Sequence, residues 1–223
     1  MERVPSAFYR ITAVLALSSG VVSRTRLGDL FWADAPDGAA SANLRQSLAR
    51  IRQLQQSLQF DLISMDTSRV LLKSTAEVDC DLLALRNILR TSYGGRAVDL
   101  CRLYNGDLLS DLPPASSEFE DWLETNRNDL RNRVLEELGA ALTEDHTLSP
   151  AQRSSCAMQI LAIDPYNEEA HRQLMIEAAR RGEASLVHSY YNRCRDQLQR
   201  ELGVSPSLET QELYQRLQRQ LVT

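Results

Sequence analysis

Apolar residues recur along most of this chain at intervals of three and four, the period of an amphipathic helix. The first such run, 7–18, ends before Gly20, a helix stop. Ser23 is placed to cap a second, short helix over 24–32, with Leu27, Leu30 and Phe31 facing inward. The loop ADAPDGAA then breaks the pattern before a long helix over 41–59, where Leu44, Leu48 and Ile51 form one stripe. Next the period changes from helical to alternating. In FDLISMDTSRVLLK, two β-prone runs, 62–65 and 70–73, flank the polar turn Asp66-Thr67-Ser68-Arg69, which predicts a hairpin. Three helices followed by a hairpin predict a winged helix-turn-helix.

From residue 78 onward the pattern is helical throughout. Helices are predicted over 81–92, closed by the turn Gly94-Gly95, and over 97–104; the loop NGDLLSDLPPAS follows. A long helix begins at Ser116 or Ser117, carries Glu118, Glu120 and Asp121 in its first turn, and runs to about residue 143. Four more follow over 150–163, 167–181, 183–202 and 207–221, separated by Asp164-Pro165, Gly182 and the stretch from Gly203 to Pro206. Helices of this length with short turns predict a tetratricopeptide-like array, with Ala170, Leu174, Ala178 and Gly182 as its small-residue echo; a generic helical bundle is the plainer form. The fold class is therefore mainly α: a winged helix-turn-helix in 1–75, then a tetratricopeptide-like all-helical array in 76–223.

Charge sharpens this division. Residues 1–75 hold nine basic and six acidic residues, net +3, whereas the remainder holds sixteen and twenty-four, net −8. The third helix has three arginines and no acid within an acidic chain. Opposite its apolar stripe lie Gln46, Arg50 and Gln53, with Asn43 and Arg45 at the sides. Arg can bridge guanine, and Asn or Gln adenine, in the major groove. Ser23, Arg24 and Arg26 open the second helix and can clamp phosphate together with its N-terminus. Thr67 and Arg69 form a wing tip for backbone or minor groove. Each of these residues would serve equally as an ordinary solvated face or cap.

Other chemistry is thinly represented. The histidines His146, His171 and His188 are isolated; Asp164 with His171, or Glu183 with His188, make poor acid–base pairs beside a packing role. No GxGxxG, P-loop, GxSxG or HExxH occurs, so no enzyme and no cofactor or metal is expected. Cys80, Cys101, Cys156 and Cys194 form no CxxC pair and read as buried thiols rather than zinc ligands or a disulfide framework. Tyr166, Tyr190, Tyr191 and Trp122 read as helix packing, and the acids from Glu118 to Glu124 as a solvated turn or an acidic activation surface. No apolar run approaches the roughly 20 residues that cross a bilayer, so a cytoplasmic location is expected, without a membrane partner.

The run LGDLFWADAPDGAASANLRQSLARIRQ resembles the OmpR-like winged helix of bacterial antibiotic-regulatory transcription activators. The segments VDCDLLAL, YNGDLLSDL, FEDWLETNRNDL, ILAIDPYNEEAHRQLMIEAARRGE and CRDQLQRELGVSPSLETQELYQRL are similar to the bacterial transcriptional activator domain that follows it. The resemblance implies an activator that binds double-stranded promoter DNA, contacts RNA polymerase through its sigma or alpha subunit, and works as a homodimer on direct repeats. Members begin with a small antiparallel sheet; only MERVPS precedes Ala7 here, so the N-terminal module is expected without it. The competing expectation is a tetratricopeptide-like protein-interaction module, its shortened winged helix serving dimerisation or docking.

Overall fold

The computed structural model describes residues 4–36, 38–73, 79–90 and 96–221, and it is mainly helical. The expected Gly94-Gly95 turn lies outside the described residues. The chain divides into two compact units, one of 1–90 with 106–130, the other of 91–105 with 131–223.

In the first unit α1 (Ser6–Leu17) buries Ile11 to Ala16. Gly20 turns the chain at φ +85°, a conformation that favours glycine for lack of a Cβ. The sequence predicts only a hairpin after the third helix; the structure adds a strand, β1 (Val21–Ser23). It pairs antiparallel with β3 (Arg69–Leu72), which pairs with β2 (Ile63–Met65), so the sheet order is β1-β3-β2. Val22 lies opposite Val70 and Ser23 opposite Arg69. β-branched Val21 and Val22 suit a strand, but a three-residue run has too little alternation to announce one.

Between β1 and β2 lie α2 (Arg24–Phe31) and α3 (Ala39–Ser57), both within two residues of their predicted bounds. Leu27, Phe31, Leu44, Leu48 and Ile51 meet Ile11, Val14, Val22, Leu62, Ile63 and Val70 in one core. α4 (Asp81–Arg90) packs on α1, where Arg86 donates to the Ala16 carbonyl. The same core takes in Phe119 and Leu123 from the first half of α6 (Ser117–Glu144). Phe119 is 1% exposed, its ring 4.9 Å from Phe31 and 5.5 Å from Trp122, with the Arg10 guanidinium 5.8 Å over its face. Ser116 Oγ donates to the Leu30 carbonyl and Arg127 Nε to that of Leu108, at 2.9 Å for the latter.

The second unit holds α5 (Ala97–Leu103), the second half of α6, α7 (Pro150–Ile163), α8 (Glu168–Arg180), α9 (Ala184–Glu201) and α10 (Leu208–Leu221). Ser149 and Gln152 close a capping box at the start of α7, and Asn167 Oδ1 accepts from Ala170 N–H to cap α8. α7 packs on α8, α8 on α9, and α10 on both α8 and α9. Met175, Ala178, Val187, Leu213 and Leu217 fill the space between the last three. The two most distinctive sequence segments meet there. Glu168 accepts from Ser207 N–H at 2.9 Å and from Ser207 Oγ at 2.7 Å, while Arg172 donates to Thr210 Oγ1 at 2.9 Å and pairs with Glu169 at 2.6 Å. DPYNEEAHR and SPSLET are thus the two halves of one polar clasp.

Candidate nucleic-acid interface

Burial decides which face of α3 is free. Leu44, Leu48, Ile51, Leu54 and Gln55 are buried, while Arg45, Gln46, Arg50 and Gln53 are exposed and Asn43 is half-buried. Ala42 and Ala49 are exposed on the same side, so the surface between the glutamines is low. Among the described residues none of Arg26, Arg45, Arg50 and Arg52 has an acidic partner, which leaves their charges to the solvent or to an anion.

The second group of predicted residues is brought together by β1. Ser23 Oγ accepts from Arg26 N–H at 3.2 Å and caps α2. Arg24 N–H donates to the Ser68 carbonyl at 2.9 Å, which fastens the start of α2 to the hairpin turn. The Arg24 Nε is buried without a hydrogen-bond partner among the described residues. Within the turn, Asp66 Oδ1 accepts from Ser68 N–H and Arg69 N–H, both at 2.7 Å. These amides, that of Ser68 first, hold the exposed Asp66 carboxyl below its ordinary range. Arg69 is less free than a bare wing tip: its Nε lies 3.5 Å from Asp66 Oδ2. Thr67 is exposed at the apex.

One residue that matters here is not among those expected from the sequence, which points to Gln46 and Gln53 but not to Gln55. Gln55 is 7% exposed and faces the hairpin. Its Nε2 donates to the Ile63 carbonyl at 3.0 Å, and its Oε1 accepts from Leu62 N–H at 3.0 Å and Ile63 N–H at 2.7 Å. The end of α3 is thereby fixed to the first strand of the hairpin. Its position on the Leu44–Leu48–Ile51 stripe is the signal that could have singled it out. An open cavity of about 410 Å³ lies beside it, lined by Arg52, Gln56, Gln59 and Phe60 among others.

The remaining chemistry sits elsewhere. His171 is fully buried, its Nε2 3.2 Å from the Pro165 carbonyl, and burial pushes its pKa down. His188 contacts Tyr214 Oη and Asn192. Cys156 and Cys194 are buried as expected; Cys80 and Cys101 are only half so. Among the described residues no group of His, Cys, Asp and Glu is arranged to hold a metal, and no helix is long and apolar enough to cross a membrane.

Residues 96–218, more than half of the chain, match the bacterial transcriptional activator domain. The chain belongs to that family. Membership puts it among transcriptional regulators. Transcriptional regulatory protein MoaR1 of Mycobacterium tuberculosis (strain ATCC 25618 / H37Rv) is 24% identical over 233 residues, covering 95% of this chain and 71% of the relative. The family match embraces the Glu168–Ser207 clasp, whereas α3 and its arginines precede it and rest on their own geometry.

Proposed function

We propose that this family member is a DNA-binding transcription activator. Residues 1–75 act as a winged helix-turn-helix in which α3 enters the major groove of promoter DNA. Asn43, Arg45, Gln46, Arg50 and Gln53 meet base edges and adjoining phosphates. Ser23, Arg24 and Arg26 bind a backbone phosphate, and Thr67 and Arg69 contact the flanking strand. Residues 76–223 form a tetratricopeptide-like array that contacts RNA polymerase, and the regulator works as a homodimer. The observation that carries the reading is the exposed, acid-free face of α3, whose arginines have no internal acidic partner among the described residues. For the protein contact, the support is the α9–α10 connection, where Leu202, Val204 and Leu208 are 57%, 48% and 71% exposed.

The test is a mobility shift on promoter fragments from low to moderate salt. Every phosphate that the protein no longer neutralises makes the fall of log affinity with log salt shallower by about 0.9. Arg45→Ala with Arg50→Ala should flatten that slope and weaken binding at low salt. No shift with the wild type, or the same shift with the double variant, refutes the proposal.

A further inference from the structure

Cys101 on α5 and Cys156 on α7 belong to the same unit, and their sulfurs are 3.7 Å apart across 55 residues of sequence. α5 packs directly on α7 at this point. The two residues differ in burial: Cys101 is half-buried, while Cys156 is 0% exposed. Cys194 is sealed in α9 and Cys80 lies in the other unit.

We propose that Cys101 and Cys156 are a reversible redox pair, oxidised by a hydroperoxide to an intramolecular disulfide that locks α5 to α7. Cys101, the less buried of the two, reacts first. Its thiolate attacks the terminal oxygen of the hydroperoxide; the O–O bond breaks, the oxygen stays as a sulfenic acid, and the alkoxide or hydroxide leaves with the proton the thiol had lost. Cys156 then attacks the sulfenic sulfur. The S–O bond breaks, the S–S bond forms, and hydroxide leaves as water with the Cys156 proton. Two thiols have lost two electrons and one hydroperoxide has become an alcohol, or water, plus water. The sulfurs need to close from 3.7 Å to about 2.05 Å, which a small shift of a short helix supplies.

The polarity of the pair agrees with these roles. Hydrogen bonding between the two sulfurs lowers the Cys101 pKa and favours its thiolate. The same contact, with burial, raises that of Cys156. Burial also raises Cys80 and pushes Cys194 up to about 11, which disfavours both thiolates.

The experiment treats the full-length protein with one equivalent of hydrogen peroxide, alkylates the remaining thiols and maps the peptides. The expected result is loss of two of the four thiols, a cross-link joining Cys101 to Cys156 within one chain, and full recovery with dithiothreitol. Cys101→Ser should lose no thiols at that dose. Cys156→Ser should hold a sulfenic acid at Cys101 that dimedone captures. Four intact thiols in the wild type, oxidation at Cys80 or Cys194 instead, or a cross-link between two chains overturns the proposal. So does equal thiol loss in Cys101→Ser. Should a variant fail to fold, the wild-type peptide map decides alone.

Discussion

Gln55→Ala tests whether the end of α3 is held to the hairpin by the hydrogen bonds seen there. The substitution removes the partners of two backbone N–H groups and one carbonyl, those of Leu62 and Ile63. A buried group left without a partner costs about 1–3 kcal/mol. Water from the neighbouring cavity of about 410 Å³ can satisfy part of that demand. A loss near 3 kcal/mol is therefore expected, the low end of the roughly 3–9 kcal/mol of three full penalties. Both tryptophans, Trp32 and Trp122, lie in the first unit, so their fluorescence in urea follows that unit even if the other unfolds separately. With a slope of about 1–3 kcal/mol per molar urea, the midpoint should fall by roughly 1–3 M. Gln56→Ala, one residue along and exposed, should stay within about 0.5 kcal/mol of wild type. Gln55→Leu fills the space but keeps water out, so it should be no more stable than Gln55→Ala. A Gln55→Ala midpoint indistinguishable from that of Gln56→Ala would refute the role assigned to this side chain.

Phe119→Ala removes a ring packed between Phe31 and Trp122, and should cost the first unit about 3–5 kcal/mol by the same fluorescence transition. Ser149→Ala opens the capping box of α7 and should cost about 1 kcal/mol, read by circular dichroism. For Glu168, burial opposes ionisation more than any single contact favours it. Even so, the hydroxyls of Thr210 and Ser207, the Ser207 amide and Arg172 together hold the carboxyl below its ordinary range. A carboxyl whose folded pKa is depressed contributes stability above its unfolded value, and that contribution disappears as pH falls through the folded value. Helical signal from the second unit should therefore weaken with acid below about pH 4.3, the ordinary Glu value, and Glu168→Gln should blunt that dependence.

Local pattern carried far in this chain. The helix period predicts the helices of the described residues to within a few positions, because each amphipathic face is written in its own segment and each cap or stop lies beside it. Ser23, Ser149 and Asn167 cap their helices through neighbours at most three residues away. The acid-free polar face of α3 is equally local, since the stripe that buries one side leaves the other to solvent. The family match spans the segments from Asp164 to Thr210. Within them the clasp of Glu168 and Arg172 on Ser207 and Thr210 joins two stretches some forty residues apart.

Pairing between distant segments was settled in three dimensions. A strand as short as Val21–Ser23 exists because β3 offers it a free edge, and nothing within three residues encodes that edge. Phe119 reads as one more apolar position of a long helix, yet it completes a core whose other fully buried members, Leu123 apart, lie more than forty positions earlier in the chain. Gln55 continues the apolar stripe of α3 and Gln56 does not, but only the place of β2 decides which backbone groups the buried amide holds. Cys101 and Cys156 read as two unrelated thiols until α5 is laid on α7. Residue order alone was enough to say which segments are helical and which of their faces are polar, because those preferences act over one or two turns. Which side chains meet waited for the folded chain, because such contacts depend on closure over tens of residues that no local period records.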